Sequence, residues 1–261
     1  MVVRRFATAQ DAAALTAVWQ RSFPEDTPHE IAAFLGKVRL DEECLIAEED
    51  GTVASMVFLL PTRLQAPTPL PMQYIYAAAT LPSHRGRGLF GGLLKRALAV
   101  ARERGQAASF LHPAQPSLID YYASFGYRPF FFCDTVCGDA ASNGATVRSV
   151  SADEYAKRRN DRLPPFGVEW PSRFLEHTVL VDDACAVCVP MGERLLIREL
   201  FCDPAQQNRV CAALAAHFGC TRYEARLPVK EAHDPPFGLL CPLQPLKLSV
   251  TAPPYMGVAL D

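Results

Sequence analysis

Four glycines, Gly86, Gly88, Gly91 and Gly92, fall within seven residues and interleave with Arg85 and Arg87. Glycine lets the backbone turn sharply, so that several N–H groups converge on one point, and the two guanidinium groups add full positive charge. A helix pattern begins at about Leu89, and its N-terminus adds partial positive charge at the same place. This combination offers capture of phosphate. It is not a Walker loop, because no Gly-Lys-Ser/Thr follows, and it lacks the Gly-x-Gly-x-x-Gly spacing of a dinucleotide turn after a first strand.

The elements around the turn have to hold it rigidly. Val2 to Phe6 reads as a strand, and Thr8 as the N-cap of a helix through about Ser22, ended by Pro24. Pro28 opens a second helix through roughly Arg39. Cys44 to Glu48 and Thr52 to about Leu64 form a hairpin about Asp50-Gly51, and Met72 to Thr80 is the strand that delivers the chain to the turn. The helix from Leu89 to about Arg104 stops at Gly105. A buried strand (Ala107 to Leu111), a short helix (Pro116 to Ser124) and an aromatic strand (Tyr127 to Val136) follow. The fold class is therefore α/β with a mixed sheet flanked by helices.

Composition narrows the functional classes. A formal net charge of −2 over 261 residues excludes generic nucleic-acid binding and leaves Arg85 to Arg87 as the dense basic run. No apolar run approaches the ~18 residues of a membrane span, and Met-Val-Val-Arg-Arg lacks the character of a signal peptide, so the expected compartment is the cytoplasm, with no membrane partner. The nine cysteines are scattered through apolar contexts and read as buried free thiols, with no metal site expected. Homo-oligomerisation stays open.

The order of elements, the glycine-arginine turn after the fourth strand, and Tyr121-Tyr122-Ala-Ser-Phe-Gly126-Tyr127 together resemble the GNAT N-acetyltransferase superfamily, over residues 1 to about 136. The family's turn has the form Arg/Gln-x-x-Gly-x-Gly/Ala, matched by Arg85, Gly88 and, as a departure, the bulky Phe90. A large residue there, Pro82-Ser83-His84-Arg85 before it and Phe125-Gly126-Tyr127 after it resemble the enhanced-intracellular-survival branch. That branch carries a further sterol-carrier-like domain, which has no counterpart in this sequence.

The resemblance implies acetyl-coenzyme A as cofactor, an amine of a small molecule or a lysine side chain as acceptor, and a direct ternary complex. It assigns the pyrophosphate to Arg85, Gly86, Arg87, Gly88, Leu89, Phe90, Gly91 and Gly92, and the pantetheine arm and thioester to the strand edge at Ala78, Ala79 and Thr80. Tyr122 takes the family's position for the acid that protonates the departing thiolate; otherwise it is a packing residue beside Phe125. Tyr121 is expected to point away. Ser117 either touches the cofactor or caps the short helix. The base is undetermined, because Gln73 to Leu81 contains no carboxylate; Glu25, Asp26, His84 and a water chain are the candidates. The alternative function is a non-catalytic acyl-coenzyme-A sensor.

Residues 1–137 thus form an acetyltransferase-type domain, 138–145 a linker, and 146–261 a second, smaller domain. Thr146 to Asp153 echoes Val3 to Gln10, and the order of the first half recurs in shortened form: a helix from Pro171 to Leu180, a hairpin of Ala184 to Val189 and Arg194 to Phe201, a helix from Ala205 to Phe218 and a strand from Thr221 to Leu227. At the place of the turn stands Phe201-Cys-Asp-Pro-Ala-Gln-Gln-Asn208, which has no glycine, and Asp203 repels phosphate. The reading is a degenerate acetyltransferase-like domain or an unrelated small α+β domain. Pro235 to Asp261 reads as an extended tail.

Overall fold

The computed structural model describes residues 1–246, 248 and 252–260. In chain order the first elements are β1 (Val2–Phe6), α1 (Ala12–Ser22), α2 (Pro28–Leu35), α3 (Leu40–Glu43), β2 (Cys44–Glu49), β3 (Thr52–Leu64), β4 (Leu70–Thr80), α4 (Leu89–Glu103), β5 (Ala108–Leu111) and α5 (Ile119–Ala123). There follow β6 (Arg128–Phe131), β7 (Asp134–Asp139), β8 (Val147–Ser149), α6 (Ala152–Asn160), β9 (Val168–Glu169), β10 (Thr178–Val181), β11 (Ala184–Met191), β12 (Arg194–Phe201), α7 (Gln207–His217), β13 (Arg222–Leu227) and β14 (Gly238–Pro242). Two units result, each discontinuous in sequence: Met1–Thr62, Pro71–Arg128 and Leu239–Lys247 make one, and Arg63–Leu70, Pro129–Gly238 and Leu248–Asp261 the other.

In the first unit the strands lie in the order β1-β2-β3-β4-β5-β14. β1 and β3 flank β2 antiparallel, β5 runs parallel to β4, and β14 closes antiparallel on β5. The parallel pair needs a crossover, which α4 supplies. Leu89, Leu93, Leu94, Ala97 and Leu98 of α4 are buried on Leu45, Val57, Leu59, Ile75 and Leu111 of the sheet. Gly105, at φ 68°, ends the helix in the left-handed conformation. α2 starts at a capping box, in which Thr27 accepts from the Glu30 N–H and Glu30 accepts from Thr27, and it stops at Gly36, short of the expected Arg39.

The second unit repeats this order as β8-β10-β11-β12-β13-β7. β12 and β13 are its parallel pair, bridged by α7, and β7 closes antiparallel on β13 as β14 does on β5. The fold is therefore α/β with two mixed sheets flanked by helices. Three further expectations change. Tyr127 to Val136 is two strands, β6 and β7. The helix expected over Pro171 to Leu180 is a single 3-10 turn at Ser172–Phe174 followed by β10, whose Thr178-Val179-Leu180-Val181 is a strand composition. The tail contains β14, which donates Leu239 to Pro242 to the β5 edge.

Candidate active site

α4 begins without a side-chain cap. Its N-cap is Gly88, at φ 73°, and the first intrahelical bond runs from the Gly92 N–H to the Gly88 carbonyl. The N–H groups of Leu89, Phe90 and Gly91 thus lack an intrahelical acceptor and point out of the helix start together. Gly86 at φ 78° and Gly88 hold the turn in a conformation an L side chain resists. Phe90 does not crowd the mouth: its ring stacks on Tyr121 with centroids 6.1 Å apart and meets Tyr122 edge-on at 6.3 Å.

The charges are less free than their sequence positions suggest. Arg85 Nε donates to the Thr80 carbonyl at 3.2 Å. Arg87 donates to Glu49 Oε2 at 2.8 Å and to the Ser83 carbonyl at 3.1 Å. Two cations that the sequence reading missed join the site. Arg4 of β1 and Lys95 of α4 line a cleft of about 590 Å³ with Gly88, Gly91, Gly92, Tyr121 and Phe125. A Cβ on Gly92 would collide with the Arg4 guanidinium. Lys95 was legible, since it lies one helical turn after Gly91 and Gly92 on the same face. Arg4 was not, because only tertiary packing brings β1 to α4.

On the strand side, β4 pairs with β5 only from Met72 to Tyr74, opposite Ala108 to Phe110. Beyond Tyr74 the two strands part. Ala77 sits at the parting with φ 44°, a conformation that costs a non-glycine residue ~1 kcal/mol or more. The carbonyl of Ala79 accepts from Ser55 Oγ at 2.8 Å, and Thr80 Oγ1 meets the same hydroxyl. Ala78 and Phe90 pack on the apolar cluster that holds Tyr122.

Tyr122 is 8% exposed, and burial pushes its phenol up to about 12, with Tyr121 adding a smaller increment. Tyr121 does not point away: its hydroxyl lies 3.4 Å from where a Gly91 Cβ would stand. Ser117 is exposed near the start of α5 and contacts Gln115 Oε1 at 3.4 Å. His84 bonds Ser83 Oγ through Nδ1 at 2.9 Å and has Nε2 3.8 Å from Glu49. Asp26 accepts from the Trp19 indole at 2.6 Å. The site so assembled gathers helix N–H groups and cations at one end and sets a buried phenol in an apolar wall.

The corresponding place in the second unit has changed its chemistry. β12 and β13 part after Ile197 and Ala225, and a cleft of about 1310 Å³ includes Leu200, Phe201, Asp203, Gln206 and Leu227 in its walls. There the Asp203 carboxylate accepts from the Ala205 N–H, so a side chain takes the place an anion would need.

The open α4 N-terminus, the parted parallel strands and the doubled sheet order define the class as an acetyltransferase-type α/β fold. The family model described as acetyltransferase (GNAT) domain matches residues 4–130, so this part of the chain is similar to that family. Solved structures of the same fold extend over both units. A GCN5-related N-acetyltransferase from Kribbella flavida has a TM-score of 0.68 at 17% identity, covering 92% of this chain and 70% of its own. Eis1 from Mycobacterium abscessus has a TM-score of 0.65 at 16% identity, over 93% of this chain and 74% of its own. A GCN5-related N-acetyltransferase from Sphaerobacter thermophilus has a TM-score of 0.61 at 14% identity, over 96% and 98%. No curated protein sequence matches the chain.

Proposed function

We propose that this protein is an acetyl-coenzyme-A-dependent N-acetyltransferase that acetylates a primary amine, on a small molecule or a lysine side chain, by direct attack in a ternary complex. The observation that carries this reading is the parting of β4 from β5 immediately before an uncapped, cation-ringed helix N-terminus. Acetyl-coenzyme A supplies a thioester whose exchange forms a C–N bond, breaks a C–S bond and returns one proton to sulfur. The N–H groups of Leu89, Phe90 and Gly91, with Arg85, Arg4 and Lys95, suit its phosphates. The row Ala77-Ala78-Ala79 lets a ligand approach the strand backbone.

Tyr122 remains protonated at any working pH and can hydrogen-bond to sulfur. A free thiol at about 8.5 would draw its proton uphill by several units, but a thiolate desolvated beside the same wall is raised too, which narrows the gap. Cys241 donates to the Phe125 carbonyl at 3.7 Å, and burial pushes its thiol up, so it is a poor nucleophile and direct attack is favoured.

Calorimetric titration with acetyl-coenzyme A should give saturable binding. Tyr122→Phe should lower kcat by about a hundredfold with cofactor affinity unchanged. Absence of binding would end the reading, and binding without thiol release from any amine of a broad panel would identify a sensor instead.

A further inference from the structure

In the second unit the parallel strands part as they do in the first, and the space between them has its own chemistry. Beyond Ile197, β12 continues to Phe201 with a strand neighbour only on its β11 side. Beyond Ala225, β13 continues to Leu227 with a strand neighbour only on its β7 side. Among the described residues no strand fills the gap. The cleft of about 1310 Å³ that opens there exceeds the roughly 300–1,000 Å³ of small-ligand sites, and it lies at the carboxyl ends of a parallel pair, where open α/β sheets hold their ligands. Its floor is apolar: Leu200 and Phe201 are buried, and Val136 and Leu227 half-buried.

Two facing strand edges without a ladder between them offer main-chain donors and acceptors at strand spacing. An extended main chain satisfies them, and a compact ligand does not. The end group follows from charge. A phosphate chain is repelled at the helix start, where Asp203 Oδ1 accepts from the Ala205 N–H at 2.9 Å. Arg209 does not neutralise Asp203, because its guanidinium is held by Asp182 at 3.2 and 3.3 Å and by Gln206 at 3.3 Å. Around the whole cleft five carboxylates stand against three arginine and lysine side chains, so the surplus charge favours a cation.

We propose that this cleft is a second binding site, for a short peptide in extended conformation with apolar side chains and a free N-terminal ammonium. The edges of β12 and β13 bond the peptide main chain, the apolar floor takes its side chains, and the Asp203 carboxylate receives the ammonium. The site is independent of the acetyltransferase reading of the first unit.

Calorimetric titration of the full chain with the tripeptide Leu-Val-Leu-amide, in the absence of acetyl-coenzyme A, should give saturable binding. N-acetyl-Leu-Val-Leu-amide keeps the main chain and side chains but lacks the ammonium, and should bind about tenfold more weakly. Leucine amide keeps the ammonium with a single residue of main chain, and should bind at least about a hundredfold more weakly than the tripeptide. Asp203→Asn retains an acceptor for the Ala205 N–H and removes the charge; it should bring the free tripeptide to the level of the acetylated one and leave the latter within about twofold. Leu227→Trp fills the cleft and should abolish binding of both peptides. Absence of tripeptide binding would overturn the site, and binding that survives Leu227→Trp would place the peptide elsewhere and overturn it equally. Equal binding of free and acetylated tripeptide, or free-tripeptide binding untouched by Asp203→Asn, would overturn the ammonium assignment. Leucine amide binding as tightly as the tripeptide would overturn the role of the strand edges.

Discussion

At the scale of single residues, the most consequential contact at the turn opposes its chemistry. Glu49 Oε2 lies 2.8 Å from Arg87 Nη1, so a carboxylate stands beside the turn proposed to hold the cofactor's phosphates. Half of the Arg87 side chain is exposed, which makes the ion pair weak, and its removal frees the guanidinium at little cost in stability. Glu49→Gln should therefore tighten acetyl-coenzyme A binding about threefold at low salt, with the gain fading at high salt as charges are screened. Weaker binding by calorimetry would show instead that Glu49 positions Arg87. Legibility at this scale followed sequence distance. Arg85, the glycines and Tyr122 carried their own signal, whereas Arg4 joins the site only through packing of β1 beside α4.

Secondary structure was legible wherever local chemistry decides it. The Asp50-Gly51 hairpin and the α4 boundaries follow from turn residues and periodicity, both local properties. The misread stretch at Pro171 to Leu180 mixes an apolar pattern with β-branched residues, and pairing with β8 and β11 settles it as a strand. β14 is a partner chosen by the β5 edge, across more than a hundred residues, and nothing local announces it. One local device gives a testable pH dependence. Asp11 accepts from Arg5 at 2.8 and 2.9 Å and from the Thr8 N–H at 2.7 Å, tying β1 to the start of α1. The Arg5 hydrogen bonds, ahead of those from Thr8, hold its carboxyl well below the usual carboxylate range. A depressed carboxylate contributes stability above its unfolded pKa of about 3.9 and loses it as pH falls further. Asp11→Asn should cost about 1–2 kcal/mol in denaturant unfolding at pH 7, and the difference should shrink below about pH 4. A gap that stays constant on acidification would assign the loss to packing.

Across the whole chain, two sheets of one strand order have diverged in what lies at their parallel pairs. The first keeps a glycine turn and an open helix N-terminus; the second has Asp203 at the helix start and, on β12, a fully buried Glu199. Arg159 of α6 meets Glu199 through Nε at 2.6 Å and Nη2 at 2.8 Å, its Nη1 donates to the Val168 carbonyl at 2.8 Å, and Tyr155 donates to Glu199 Oε1 at 2.8 Å. Gly257, at φ 70°, lies so close that a Cβ there would collide with both Glu199 and Arg159. This network ties α6, β9, β12 and the 255–259 segment together within the second unit. Such a pair repays its desolvation only while intact, so breaking one side is costly and removing both sides is not. Glu199→Gln should destabilise the second unit by about 3–5 kcal/mol, and the double replacement Arg159→Met with Glu199→Leu should recover most of that loss. Trp170 belongs to this unit and donates to the Met256 carbonyl, so its fluorescence in a Trp19→Phe background follows the relevant transition. If the double variant proves as unstable as the single one, the network contributes shape and hydrogen bonding that apolar side chains cannot replace.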